Sequence, residues 1–212
     1  MALRRPDAPS TFARRLRKEG VPLGDAFSFL SGLYFRGKLE YARVFARAPA
    51  ARDGIHIITM TDGLVSPDAR ISAADLERYA LCVDGARTAV AALEQTATTL
   101  SRRLASDAEV VLLGSVSTGK YTDLLAPIFG DRLVFPRDVL HIGQLARGAL
   151  FLRCARDREE LEYVAVTEIV RAGRRVSIKD ESRQPAAGGA TTETPSRAAR
   201  PSTADARADS RQ

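Results

Sequence analysis

The chain has 212 residues, 45% hydrophobic and 27% charged, and its 32 Lys and Arg against 26 Asp and Glu leave +6 and a pI near 9.7. That length suits one domain with appendages, and that composition excludes a wholly disordered or fibrous chain. No apolar run approaches the roughly 20 residues that cross a bilayer. The two cysteines, Cys82 and Cys154, cannot by themselves make a disulfide framework or a four-ligand zinc site, and with only two histidines, His56 and His141, no structural metal centre is expected. The expectation is a soluble, cytoplasmic globular protein with no cofactor, no metal and no membrane contact.

The charge is uneven. Residues 1–19 carry Arg4, Arg5, Arg14, Arg15, Arg17 and Lys18 against Asp7 and Glu19, a net +4. We read them as a solvated basic arm, with contact to phosphates or nucleic acid as the alternative, because clustered cations gain from counterion release on a polyanion. The stretch is Arg-rich like a transit peptide but shows no clear amphipathic run. The body, 20–179, holds +2, and the tail, 180–212, is neutral. From Glu181 onward there is no Leu, Ile, Val, Phe or Tyr. Nothing there offsets an ordering cost of about 1–2 kcal/mol per residue, so the tail reads as disordered.

Within the body, Ser31 to Lys38 sets Tyr34, Phe35, Arg36 and Lys38 around two glycines, just before a helix expected over 33–46. Such a segment suits stacking on a base and gripping a phosphate; alternatively, Tyr34 and Phe35 anchor the helix in the core. Gly54 to Met60 reads as a buried strand ended by Thr61-Asp62-Gly63. Asp62 and Asp68 are candidates for acid–base or hydroxyl contacts, or else turn formers. Ser72-Ala-Ala-Asp75 resembles a capping box opening a helix to about Val83, and 86–105 is a second, Ala- and Leu-rich helix.

Glu109 to Gly114 is the strongest strand signal, a β-branched apolar run closed by glycine. It leads into Gly114-Ser-Val-Ser-Thr-Gly-Lys120, which matches a Walker loop except that Tyr121 stands where magnesium needs Ser or Thr. Ser115, Thr118, Gly119 and Lys120 are therefore candidate contacts to an anionic or polar ligand ahead of a helix over 118–129. Leu133 to Phe135 reads as a third strand, and His141 behind it as the better placed histidine for proton transfer. Gly148–Cys154 and Leu161–Val166 are expected to form a hairpin. Cys82 and Cys154 read as core fillers.

Strands alternating with helices predict a single three-layer α/β domain with a mostly parallel central sheet. Ligands of such sheets gather at the strand carboxyl ends. Three stretches add a resemblance: Leu30 to Arg43, Asp62 to Asp68, and Gly114 to Asp123 with Phe129 to Pro136. Together they are similar to an uncharacterised group of bacterial proteins of about this length, over roughly 27–168. That group brings no catalytic roles with it. Leu33–Ala42, Gly63–Asp68 and Ile142–Gln144 are also distantly similar to small bacterial domains that look related to uracil-DNA-glycosylase-like α/β layers. This likeness implies nucleosides, bases or nucleic acid as ligands.

The expected function is binding of a nucleotide, nucleoside or phosphorylated ligand, with transfer or hydrolysis as the class of any reaction. Lys120, Arg36 and Lys38 would neutralise the anion, and Tyr34 would stack. The alternative is a non-catalytic interaction module that uses the basic arm and the tail.

Overall fold

The computed structural model describes residues 11–48, 54–80, 85–114 and 119–172. Helix α1 (Thr11–Lys18) leads through β1 (Val21–Pro22) into α2 (Leu23–Phe45), followed by β2 (Ile57–Thr59), β3 (Gly63–Val65), β4 (Arg70–Ile71), α3 (Ala73–Ala80) and α4 (Gly85–Arg103). Then come β5 (Val110–Val111), α5 (Thr122–Phe129), β6 (Leu133–Pro136), α6 (Gln144–Asp157), β7 (Tyr163–Ala165) and a last helical stretch, α7, over 166–172.

The three-layer architecture is not found. The described chain is mostly helical and its strands, two to four residues long, form three small sheets. β1 pairs with β4 and β2 with β3, both antiparallel, and β6 lies between β5, parallel, and β7, antiparallel. Thr61-Asp62-Gly63 does not end a strand bound for a crossover. It turns β2 straight back into β3, with Ile57 opposite Val65 and Thr59 opposite Gly63. The 109–114 run pairs over Val110 and Val111 only. One parallel pair is all that remains of the expected sheet among the described residues.

The missing element is a helical reversal. Over 23–45 the chain is helical throughout except at Gly32, whose φ of 66° and ψ of −149° break it. On a straight helix, 1.5 Å per residue would put Gly24 and Leu39 about 22 Å apart. A Cβ on Gly24 would instead lie 2.9 Å from Leu39 Cδ2, and the Phe27 and Phe35 rings meet edge to face at 5.5 Å. The chain therefore doubles back at Gly32 into two antiparallel arms, 23–31 and 33–45. Positive φ makes glycine the natural residue there.

Each arm serves a core. Ala26 and Leu23 join Ala13 and Leu16 of α1, Val21, Ile57, Ile71, Leu76 and Tyr79 in one cluster. Tyr41 of the second arm joins Leu93, Phe129, Leu133, Phe135, Phe151, Cys154 and Val166 in a larger one. Cys154 is a free, buried thiol, as expected of a core filler; Cys82 lies outside the described residues. Residues 11–18, read as part of a solvated arm, are thus a docked helix with Ala13 and Leu16 fully buried.

The predicted hairpin of 148–154 with 161–166 is replaced by helix α6. Gly148, Phe151 and Cys154 are buried at spacings of three, the period of a helical face. In a strand Phe151 would face away from the other two. The 161–166 run does supply β7, paired to β6 with Phe135 opposite Val164. Helix α6 packs along the second arm of α2, and the matched pairs Gly37–Gly148 and Tyr41–Phe151 (ring centroids 5.2 Å apart) show that the two run parallel. A Cβ on Gly37 would lie 2.5 Å from the Gly148 carbonyl oxygen, and one on Gly148 would lie 2.9 Å from the Leu33 oxygen.

The hairpin β2–β3 docks on α4 in the same way. A Cβ on Gly63 (φ 67°) would overlap Thr96 and the Ala92 carbonyl, while Leu64 N–H donates to Thr96 Oγ1 at 3.0 Å. Backbone stands in the way at both contacts, and a small-to-large change in a packed interior costs about 1–3 kcal/mol or more. Gly148→Ala is expected to lose at least that much in urea unfolding. Gly143→Ala, whose Cβ would meet nothing within 4 Å, is expected to cost much less.

Candidate functional site

The loops over 31–38, 61–68 and 114–122, which a parallel sheet would gather into one pocket at the strand carboxyl ends, have separate attachments. Tyr34 packs against the larger core and Phe35 against the smaller, so both rings anchor a helix that already includes 33–38. Gly37 is the helix contact described above. Arg36 is exposed. Lys38 is half-buried, its Nζ 4.5 Å from the Tyr34 ring centre and 5.5 Å from that of Phe35. Burial pulls its pKa below the usual lysine value, and among the described residues it has no ion pair.

Asp62 is fully engaged. Its Oδ1 accepts the Thr61 hydroxyl at 2.9 Å, and its Oδ2 accepts Arg78 at 2.9 Å and the Tyr79 hydroxyl at 3.0 Å. A carboxylate holding three donors is a clamp between the β2–β3 turn and α3, poorly suited to taking a substrate proton. Asp68 is exposed in a turn closed by Ala69 N–H donating to the Ser66 carbonyl, and its own N–H donates to Ser66 Oγ at 3.3 Å. Asp62 thus ties its turn to α3, and Asp68 stands in the turn that Pro-Asp predicts.

Ser115 and Thr118 lie outside the described residues. Gly119 has φ 70°, and the carboxylate of Asp123 packs against its Cα side, with Oδ2 2.6 Å from where a Cβ would be. Lys120 is exposed, its Nζ 5.3 Å over the Tyr121 ring. Helix α5 starts at Thr122, two residues beyond the lysine, and Thr122 is buried with no hydrogen bond to its hydroxyl among the described residues. The exposed Asp123 carboxylate thus lies beside Gly119, and the Thr122 hydroxyl is turned inward. His141 is exposed just after the 3₁₀ turn Arg137–Val139. Among the described residues, no hydrogen bond, ion pair or ring contact links 119–122 with 31–38 or 61–68.

Two polar features escaped the reading of the sequence. The first is a chain of phenols. Leu161 N–H donates to Tyr41 Oη at 2.9 Å, and Tyr41 and Tyr163 hydroxyls lie 2.8 Å apart. Tyr163 donates to Glu160 at 3.1 Å, and Glu160 also pairs with Arg47. A carboxylate only accepts, so Tyr163 commits its proton to Glu160 and Tyr41 must donate to Tyr163. The chain pins the second arm of α2 to the turn between α6 and β7.

The second feature is the outward side of α1. With Ala13 and Leu16 turned into the core, Arg14, Arg15, Arg17 and Lys18 are exposed. Arg14, Arg15 and Lys18 carry no ion pair among the described residues. The helix cannot swing freely: Gly20 turns the chain with φ 69°, β1 pairs with β4, and Arg70 donates to the Glu19 and Gly20 carbonyls at 2.9 and 3.1 Å. The only hint in the sequence was the Ala13–Leu16 spacing.

The chain matches no protein-family model, no curated protein and no solved structure. Among the described residues no helix is long and apolar enough to cross a membrane, and no three His, Cys, Asp or Glu side chains come together in a way that would hold a metal ion.

Burial raises the pKa of Tyr41, while burial and hydrogen bonding together raise those of Tyr163 and of Tyr79, the last to about 12. The folded state thus holds these phenol protons where the unfolded chain, with phenols near 10, releases them. Their contribution is complete below about pH 10 and fades as pH climbs past it. Melting temperature is expected to hold up to about pH 10 and to fall above it. Tyr163→Phe and Tyr79→Phe should each make that alkaline fall shallower while lowering stability at neutral pH.

Proposed function

We propose that this protein is a binding module for polyanions, nucleic acid above all, and that α1 is its contact surface. The observation behind this reading is that two fully buried side chains, Ala13 and Leu16, fix a helix whose opposite side carries Arg14, Arg15 and Lys18, none of them ion-paired among the described residues. Held cations release counterions from a phosphate backbone without first being ordered, which favours binding over a loose arm of the same charge. Affinity should therefore fall steeply with salt.

The test is fluorescence anisotropy with a labelled oligonucleotide of about 20 nucleotides, single-stranded and duplex, across a salt series. Arg14→Ala, Arg15→Ala and Lys18→Ala combined should leave the melting temperature nearly unchanged, since all three side chains are exposed. On B-DNA, at about 0.9 per phosphate contact, the log–log salt slope should shrink by up to about 3. An unchanged slope and affinity would exclude α1 as the surface.

Lys38 favours a second reading, a small anionic or nucleoside-like ligand. A half-buried ammonium between two rings, without an acid partner among the described residues, is a suitable mate for a planar anion. Thermal shift with AMP, ATP, uridine and inorganic phosphate tests it. Stabilisation by one of them that vanishes in Lys38→Met and persists in Lys120→Ala supports Lys38. The opposite pattern would return the site to the 114–122 loop, and no stabilisation by any would reject the small ligand.

A further inference from the structure

Phe12, on α1, and Phe29, near the tip of the α2 reversal, stack with ring centroids 4.7 Å apart and planes only 2° from parallel. A stack between two packed helices would ordinarily be shut in, yet Phe29 is 50% exposed and Leu30 beside it 42%. With Phe12 against one face of Phe29, the open half of the residue is the outer face and edge of its ring. At the tip itself, Gly32, nothing lies within 4 Å of where a Cβ would be, so the reversal that carries Phe29 stands open at its end. Arg15 lies three residues along α1 from Phe12, which on a helix makes them surface neighbours, and Arg14 and Lys18 continue the same outward side.

A flat, half-exposed ring, already one member of a parallel stack on a helix whose exposed Arg14, Arg15 and Lys18 have no ion pair among the described residues, has the two parts that single-stranded nucleic acid needs. These are a π-face for a base and fixed positive charge for the adjoining phosphates. A duplex offers phosphates but keeps its bases stacked on one another. An anionic membrane also offers phosphates, but it gains nothing from a ring held parallel to a neighbour. We infer that the Phe12–Phe29 stack and the basic side of α1 form a binding site for single-stranded nucleic acid, with an unpaired base stacking on the outer face of Phe29. This rests on the reading of α1 as the polyanion surface and adds to it a preference for unpaired strands.

The chain contains no tryptophan, so Phe29→Trp installs a single tryptophan, excited apart from the tyrosines, in the stack. Titration with a thymidine or uridine oligonucleotide of about 20 nucleotides is expected to quench its emission, and the matching duplex to leave it nearly unchanged. In anisotropy, Phe29→Ala should weaken the single strand by roughly 5-fold to 100-fold, the range of one base–aromatic stack, and weaken the duplex little. Circular dichroism melts identify any variant that unfolds. Phe29→Tyr, which keeps the ring, should retain the affinity and guards against a purely structural effect.

If Phe29→Ala binds the single strand like the parent, or if the duplex quenches the Phe29→Trp variant equally, the stacking site is wrong. Should the arginine and lysine changes still abolish binding in that case, α1 remains the surface. A blue shift of the same fluorophore on vesicles of phosphatidylserine and phosphatidylcholine, with no quenching by oligonucleotides, would overturn the inference in favour of a membrane.

Discussion

Two glycines that let backbones touch hold this molecule together. Gly37 and Gly148 bring the second arm of α2 and helix α6 close enough that neither has room for a methyl group on the contact. Because the helices run parallel from that point, Tyr41 meets Phe151 one turn on, and both side chains are almost completely buried. Burying each contributes about 1.5–3 kcal/mol relative to exposure. From the hydroxyl of the same Tyr41 the phenol chain runs on to Tyr163, tying in the turn that delivers β7 to β6. The small sheets could not organise the fold, since a pair of two-residue strands has too few ladder bonds and too little face. They act as pins between elements that helix packing has already brought together.

How much of this was legible depended on how local the cause was. The Ser72–Asp75 box was readable because it satisfies itself within one turn: Ser72 N–H donates to Asp75 at 2.8 Å and Asp75 N–H back to Ser72 Oγ at 3.3 Å. Helix α4 and strand β6 were readable from composition and from a short, fully buried run. The wrong inferences concern runs that do not specify their own partner. The apolar residues of 54–60 and 109–114 suit a buried strand of any sheet, and nothing inside them says whether the next element returns at once or crosses over. The hairpin was read from Tyr163, Val164 and Val166, which suit a strand, and only the spacing of Phe151 and Cys154 from Gly148 marks the helix. The α2 reversal was the least legible, because a glycine inside a helical pattern usually reads as a weak spot, and the hairpin is visible only when Phe27 meets Phe35.

The candidate site residues divide along the same line. Asp62, Asp68 and Tyr34 belong to motifs that carry a turn or a core anchor as readily as a ligand, and their surroundings are those of the structural role. Most of the near-Walker loop, 115–118, lies outside the described residues, and at its end the carboxylate of the exposed Asp123 lies against Gly119. What the sequence concealed was the value of α1, where two small-to-medium apolar residues in eight were too faint a stripe to distinguish a helix from an arm.

That difference alters what the net charge means. In a loose arm, cations must be ordered anew whenever they meet a phosphate, and each flexible side chain dilutes the gain. On α1 the backbone has been ordered by folding, through Ala13 and Leu16 below it and the Gly20 turn behind it. Arg70 contributes in an unexpected direction. A cation near a helix carboxyl end is favourable, and here its guanidinium caps the Glu19 and Gly20 carbonyls, so one positive charge holds the others in place. The +4 of the first nineteen residues is therefore, in part, a surface of the fold. Its geometry is inherited from the smaller core, whose first arm also carries Phe29. Charge and exposed ring are set by one packing arrangement, which is why they lie side by side.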